Sequence, residues 1–177
     1  MAKYESPSMP LVEAKHQGGK QKPTAIILRP SFTHSRDGAA LAVAKVWHRG
    51  ESFWDASHYV VDDTKRFRCV EDNVIAGATK EDKGAIRIAI CAEPYTNTVF
   101  WNAIEHELVL EKTAKLIAEL ILAHKVKHRY LDDADKARWG KFRTRSRGGI
   151  YVTETNGWST ERFMAKVHYH LTVNQHI

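Results

Sequence analysis

Apolar positions along the chain change period from segment to segment, and those changes mark out elements. Ala25-Ile26-Ile27-Leu28 is a short unbroken apolar run, the pattern of a central strand buried on both faces, and Pro30 stops its ladder. After a polar turn through Asp37-Gly38, residues Ala40, Val43, Ala44 and Trp47 recur at helical spacing, which predicts a helix over 39–47. His58 to Val61 and Phe67 to Val70 read as two strands, and the charged link Asp62-Asp63-Thr64-Lys65 makes them a hairpin. In Ala85 to Cys91, Ile86, Ile88 and Ile90 alternate with Ala85, Arg87 and Ala89, which is the period of a strand.

Phe100 to His124 carries the strongest helical signal. Ile104, Leu108, Leu116, Ile117, Leu120 and Ile121 fall on one face, and Glu105, Glu107, Glu111, Lys112, Lys115 and Glu119 on the other. A short helix is predicted over 132–139 and a last buried strand over 150–153. Ser159 or Thr160 then caps a final helix through Val167, with Glu161 favourable in its first turn. Residues 1–22, with Pro7, Pro10, Gly18, Gly19 and several lysines, read as an extended arm lying on the domain with little regular structure. The domain proper is expected over 23–170, and 171–177 as a polar C-terminal tail. The order of elements predicts an α/β fold, a mixed central β-sheet flanked by helices.

A length of 177 residues suits one domain. No apolar run approaches the roughly 20 residues of a membrane span, so no membrane partner is expected. The N-terminus lacks the apolar core of a signal peptide. Lys and Arg outnumber Asp and Glu 27 to 21, and the pI is about 9.3. Such a surface attracts polyanions (nucleic acid, anionic wall polymers or anionic lipid), although solubility alone also accounts for a charge of +6. The densest basic cluster is Lys136, Arg138, Lys141, Arg143, Arg145 and Arg147. Trp139 and Phe142 within it are either stacking platforms or core anchors.

Candidate chemistry is sparse. Cys69 and Cys91 form no CxxC pair and lie in strand-like runs, the setting of buried free thiols. His124 and His128 are four apart, yet the stretch lacks a metalloprotease glutamate and its lysines repel a cation, so it reads as a solvated helix end. His168 and His170 belong by composition to the polar tail, where their spacing would let them share a strand face. No histidine or cysteine occurs between Arg129 and Val167. There is no GxSxG elbow and no glycine-rich nucleotide cradle.

Several of these segments, in this order, resemble the type-2 N-acetylmuramoyl-L-alanine amidases, the family of peptidoglycan recognition proteins and many phage endolysins. They are Lys22 to Leu28 as the first central strand and Val46-Trp47-His48-Arg49-Gly50 through Ser57-His58-Tyr59-Val60-Val61-Asp62 as the helix-to-hairpin passage. Cys69 to Ala76 and Gly84 to Ala92 follow, then the long helix and Arg162-Phe163-Met164. The resemblance spans roughly residues 22–167 and is nearest to endolysin amidases of phages infecting actinobacteria. It implies a zinc ion held by a histidine ending the first strand, a second ending the last strand, and a third ligand in the following loop. The metal would polarise the muramoyl-L-alanine amide and activate water. Here Arg29 stands at the first position, Val152 or Thr153 at the second, and Asn156-Gly157-Trp158-Ser159-Thr160-Glu161 supplies no usual third ligand. The groove loop reads Ile75-Ala76-Gly77-Ala78 where active members carry Ala-Trp-His.

A permanently charged guanidinium repels a dication, so the family's zinc is not expected. The implied groove floor comprises Arg29, His34, Arg36, Thr153 and Glu154, and it either binds an anionic peptide or protein loop or is filled and inert. The first reading is a phage-encoded, non-catalytic amidase relative that binds bacterial peptidoglycan or joins other virion proteins. It would be made in the host cytoplasm and act at the wall or in the particle. An active endolysin amidase is the second reading, and a basic nucleic-acid-binding module the third. Arg29→His with Thr153→His is expected to leave dye release from labelled peptidoglycan at background, because the third ligand and its loop are missing. Robust release would show the last strand to be misaligned.

Overall fold

The structure, a computed structural model, describes residues 9–31, 36–51, 56–77, 83–92, 104–132, 148–152 and 159–175. The strands are β1 (Gln17–Lys20), β2 (Ala25–Pro30), β3 (Tyr59–Val61), β4 (Arg66–Arg68), β5 (Val74–Ala76), β6 (Ala85–Ile90), β7 (Tyr130–Leu131) and β8 (Ile150–Val152). The helices are α1 (Ala39–Arg49), α2 (Ile104–His124) and α3 (Thr160–Gln175). Six strands form one mixed sheet in the order β4-β3-β6-β2-β8-β7, and β1 pairs with β5 in a second, two-stranded sheet.

The apolar run at Ala25 becomes the middle of the sheet. β2 is parallel to β6 along its whole length, from Ala25↔Ala85 to Pro30↔Ile90, and parallel to β8 on its other side. Strand alternation sends Ile26, Leu28, Ile86, Ile88, Ile90, Tyr59, Val61, Ile150 and Val152 to one face, where α2 and α3 cover them. On the opposite face α1 covers Val60, Ala89 and Cys91 with Ala40, Ala44 and Trp47. Entry into β8 depends on Gly148, where a Cβ would lie 1.9 Å from the Thr24 carbonyl oxygen.

Several expectations change. β1 lies in the stretch read as an arm with little regular structure, and its neighbours are also fastened. Leu11 bridges Arg68 in parallel, Val12 N–H donates to Arg68 O (2.9 Å) and Ala14 N–H to Cys69 O (2.8 Å). This segment covers the open edge of β4, which would otherwise offer unpaired backbone groups. α3 continues to Gln175, beyond the predicted end at Val167, because Phe163, Val167 and Leu171 extend one buried row at a spacing of four. Leu108, assigned to the buried face of α2, is 54% exposed, while Val109, Leu110 and Ala114 are buried. The sheet and α3 both press on α2, so its buried arc is broader than a single stripe and centred elsewhere. Of the short helix expected over 132–139, residues 133–139 lie outside the described residues, as do residues 100–103.

Helix α1 begins at Gly38 without a side-chain cap of its own. Asp62, fully buried at the end of β3, supplies one from across the fold. Its Oδ2 accepts the Ala40 N–H (2.9 Å), and Oδ1 accepts the N–H groups of Thr64 (2.9 Å) and Lys65 (2.7 Å). One carboxylate thus fixes both the hairpin turn and the helix start. Asp62→Ala orphans these donors and is expected to cost about 3 kcal/mol in urea unfolding. Glu51→Ala, in the exposed pair with Arg49, should leave the midpoint unchanged.

Candidate functional site

Among the described residues, the side chains β2 and β8 present on the α1 face are Ala25, Ile27, Arg29 and Tyr151. Ala25 and Ile27 are buried with Ala85, Tyr151 packs half-buried against them, and Arg29 is partly exposed at the carboxyl end of β2. On β6 the register sets Arg87 beside Ile27 and Ala89 beside Arg29. Arg87 is 5% exposed; its Nη1 lies 3.4 Å from Ala76 O, so its side chain reaches β5, which leads to the groove loop. The helix that follows β2 covers one face of the sheet, and the helix that follows β6 covers the other. Open α/β sheets form a ligand crevice where the chain parts to opposite faces in this way. Arg36, just ahead of α1, is exposed at this same carboxyl end of the sheet.

The amino-terminal end of the strands holds a polar network that the sequence did not reveal. The Arg87 backbone N–H donates to His58 Nδ1 (2.9 Å), so the other ring nitrogen carries the proton and donates to Val74 O (2.7 Å). Burial drives His58 down to about 4, so the imidazole is neutral at pH 7. Next to it, Asp72 accepts the Tyr59 hydroxyl (2.6 Å) on one oxygen and His124 Nε2 (2.6 Å) on the other. Burial, then the Asp72 charge, raise the Tyr59 hydroxyl well above its ordinary value. The Gln21 side chain donates to the Asp72 and Ala85 carbonyls and accepts the Gly84 N–H (2.8 Å). The network binds β3, the turn before β5, the start of β6 and the end of α2 into one block, at the end of the strands away from Arg29.

His124 is therefore not a solvated helix end. Lys125 adopts positive φ (56°), which ends α2 and leaves His124 against the 4%-exposed Asp72. His128 falls beyond the helix and stacks on His168 (5.7 Å between ring centres). His168 and His170 sit on α3, and His170 Nε2 meets Glu111 of α2 at 2.5 Å. Both cysteines are buried and neither forms a disulfide, and burial pushes the Cys69 thiol up to about 12.

No family model matches the sequence, and no curated sequence does. Solved structures do match. A mutant of PlyL superimposes with a TM-score of 0.62 at 11% identity, covering 92% of this chain and 99% of that one. The Staphylococcus aureus hydrolase AmiA, in complex with its ligand, gives 0.64 at 9% identity over 97% and 87%. The endolysin N-acetylmuramoyl-L-alanine amidase LysCS of Clostridium intestinale gives 0.60 at 12% identity over 93% and 98%. This chain has the amidase fold.

Arg29, which the resemblance sets at the first ligand position, is next to last in β2 and partly exposed. Val152, one of two positions proposed for the second zinc ligand, is excluded, because it points into the core under α2 and α3. Tyr151 is the β8 residue that shares Arg29's face. Ile27, Arg29, Tyr151, Arg87 and Ala89 offer no imidazole, thiolate or carboxylate and do not fit a zinc ion. Among the described residues no three His, Cys, Asp or Glu side chains converge into a metal-binding group. Of the predicted floor, Arg29 and Arg36 are at the same end of the sheet. His34, Thr153 and Glu154 lie outside the described residues, as does the cluster from Lys136 to Arg147. Tyr151 and Arg87 were missed as site residues. The signal for Arg87 was in the sequence: a lone charge inside an apolar alternating strand.

His58 makes stability depend on pH. Its folded pKa lies below its unfolded value, so the contribution is complete above about pH 6.5 and declines as pH falls towards 4. Between about pH 7.5 and pH 5 the loss is expected to be of the order of 2 kcal/mol. Urea midpoints measured across this range should fall for the natural protein and flatten for His58→Gln.

Proposed function

We propose that this chain is a phage-encoded relative of the endolysin amidases that binds bacterial peptidoglycan without hydrolysing it. The observation that carries this reading is Arg29, a guanidinium at the carboxyl end of the central strand. A neutral imidazole would be needed there to grip zinc. The described residues sharing its face supply no replacement donors. Half-buried Tyr151 and partly exposed, cationic Arg29 lie on this face, which suits a ligand with an apolar or sugar face and a negative group. The charge of +6 favours the anionic wall as a surface. The likeness to solved endolysins and to AmiA with its ligand supports the wall as the target.

Purified protein is expected to contain far less than one zinc per chain by elemental analysis and to release no dye from labelled sacculi. It is also expected to be depleted from the supernatant by insoluble wall. Stoichiometric zinc with chelator-sensitive dye release would overturn the non-catalytic reading. Protein that stays in the supernatant would overturn wall binding.

A further inference from the structure

We propose that the amino-terminal end of the sheet is a docking surface for a phosphate-repeating polymer of the bacterial wall. The inference takes the source of the polymer from the wall-binding reading; the surface itself comes from how the fold gathers lysines. Lys20 ends β1, Lys22 lies just ahead of β2, and Lys125, Lys127 and Arg129 belong to the turn between α2 and β7. Two separate sets of contacts hold these segments side by side. On one side the Gln21 side chain donates to Asp72 O (3.0 Å), and Asp72 Oδ2 meets His124 Nε2 (2.6 Å). On the other, Gly148 sits so close to Thr24 that a Cβ there would lie 1.9 Å from the Thr24 carbonyl oxygen, and the Gly148 carbonyl accepts Arg129 Nε (3.2 Å). All four lysines are exposed, and Arg129 adds a fifth positive charge beside them.

Little acid opposes this charge. Of the described carboxylates at this end, Asp72 is taken up by Tyr59 and His124, and Glu71 pairs with Arg68 (3.4 Å). Asp132 follows β7, past the far end of that strand. Lys83, ahead of β6, is left out of the set because Glu81 and Asp82 precede it. Among the described residues Lys20, Lys22 and Lys125 have no acidic partner. The cluster carries charge without a stacking platform, since Tyr130 packs against the core and His128 stacks on His168. None of the exposed large apolar side chains (Leu11, Leu108, Tyr169 and Val173) belongs to it. Lysines are point charges on flexible stems, without the fork that reads one oxyanion geometry. Such a set favours a partner recognised by its repeating charge over one that inserts an acyl chain or stacks a base.

Calorimetric titration with a glycerol-phosphate oligomer tests the surface on the natural protein and on two triple variants. One is Lys20→Gln with Lys22→Gln and Lys125→Gln; the other is Lys45→Gln with Lys65→Gln and Lys115→Gln, exposed lysines elsewhere. Both lose three charges, so they separate a surface from mere net charge. The first triple is expected to bind about tenfold or more weakly, and the second within about threefold of the natural protein. The natural protein's affinity should fall about tenfold or more between roughly 50 and 200 mM salt. Equal losses in the two triples overturn the proposal, as does affinity indifferent to salt. If the first triple melts early, Lys22→Gln and Lys125→Gln decide singly, each expected to lose about twofold; no loss in either overturns it. Duplex DNA of equal charge, bound more tightly than the oligomer through the same lysines, assigns the surface to nucleic acid and overturns the wall polymer as partner. If sacculi stripped of anionic polymer deplete the protein while the oligomer goes unbound, this proposal falls and wall binding stands. Oligomer binding that needs the three lysines, with no depletion by intact or stripped sacculi, defeats the wall-binding reading alone.

Discussion

Everything in this molecule is arranged around the parallel pairing of β2 with β6 on one side and β8 on the other. A strand paired on both sides and covered on both faces has no freedom of register, because a shift of one residue would drive Arg29 into the apolar layer beneath α2 and α3. The alternation that buries Ile26 and Leu28 at that layer is therefore the same constraint that turns Ile27 and Arg29 to the other face. Stability and site geometry come from one pattern.

The two ends of the strands divide the work. At the amino-terminal end, Asp72 joins Tyr59 to His124, while Gln21 and His58 bond the backbone of the strands and turns around them. Buried polar groups that are fully paired specify one arrangement of the elements they join. Asp62 plays the corresponding part between the hairpin and α1. With the frame held in these ways, the carboxyl end can present a different side chain without loss of the fold. This is how an amidase architecture can recur at 9–12% identity.

The main strands and helices were legible because burial on a regular lattice writes its period into the sequence. Ile86-Ile88-Ile90 and the row of Ala40, Ala44 and Trp47 are seen without any knowledge of partners. Short pairings were not legible. β1, with two glycines, and the two-residue β7 are strands only because β5 and β8 lie beside them. Their hydrogen bonds come from position rather than propensity. Leu108 and the end of α3 were misplaced for a related reason: which arc of a helix is buried depends on how many neighbours press on it.

The sequence by itself determined the α/β class, the central strand and the cation at its end, since these follow from local period and from the fixed charge of a guanidinium. Tertiary structure decided which side chains meet. It turned Val152 into the core and left Tyr151 beside Ile27, buried Arg87 beneath β5, and joined His124 to Asp72 across 52 residues of chain. Such meetings depend on strand order and helix crossing, which bring distant residues together through packing and leave no periodic trace along the chain.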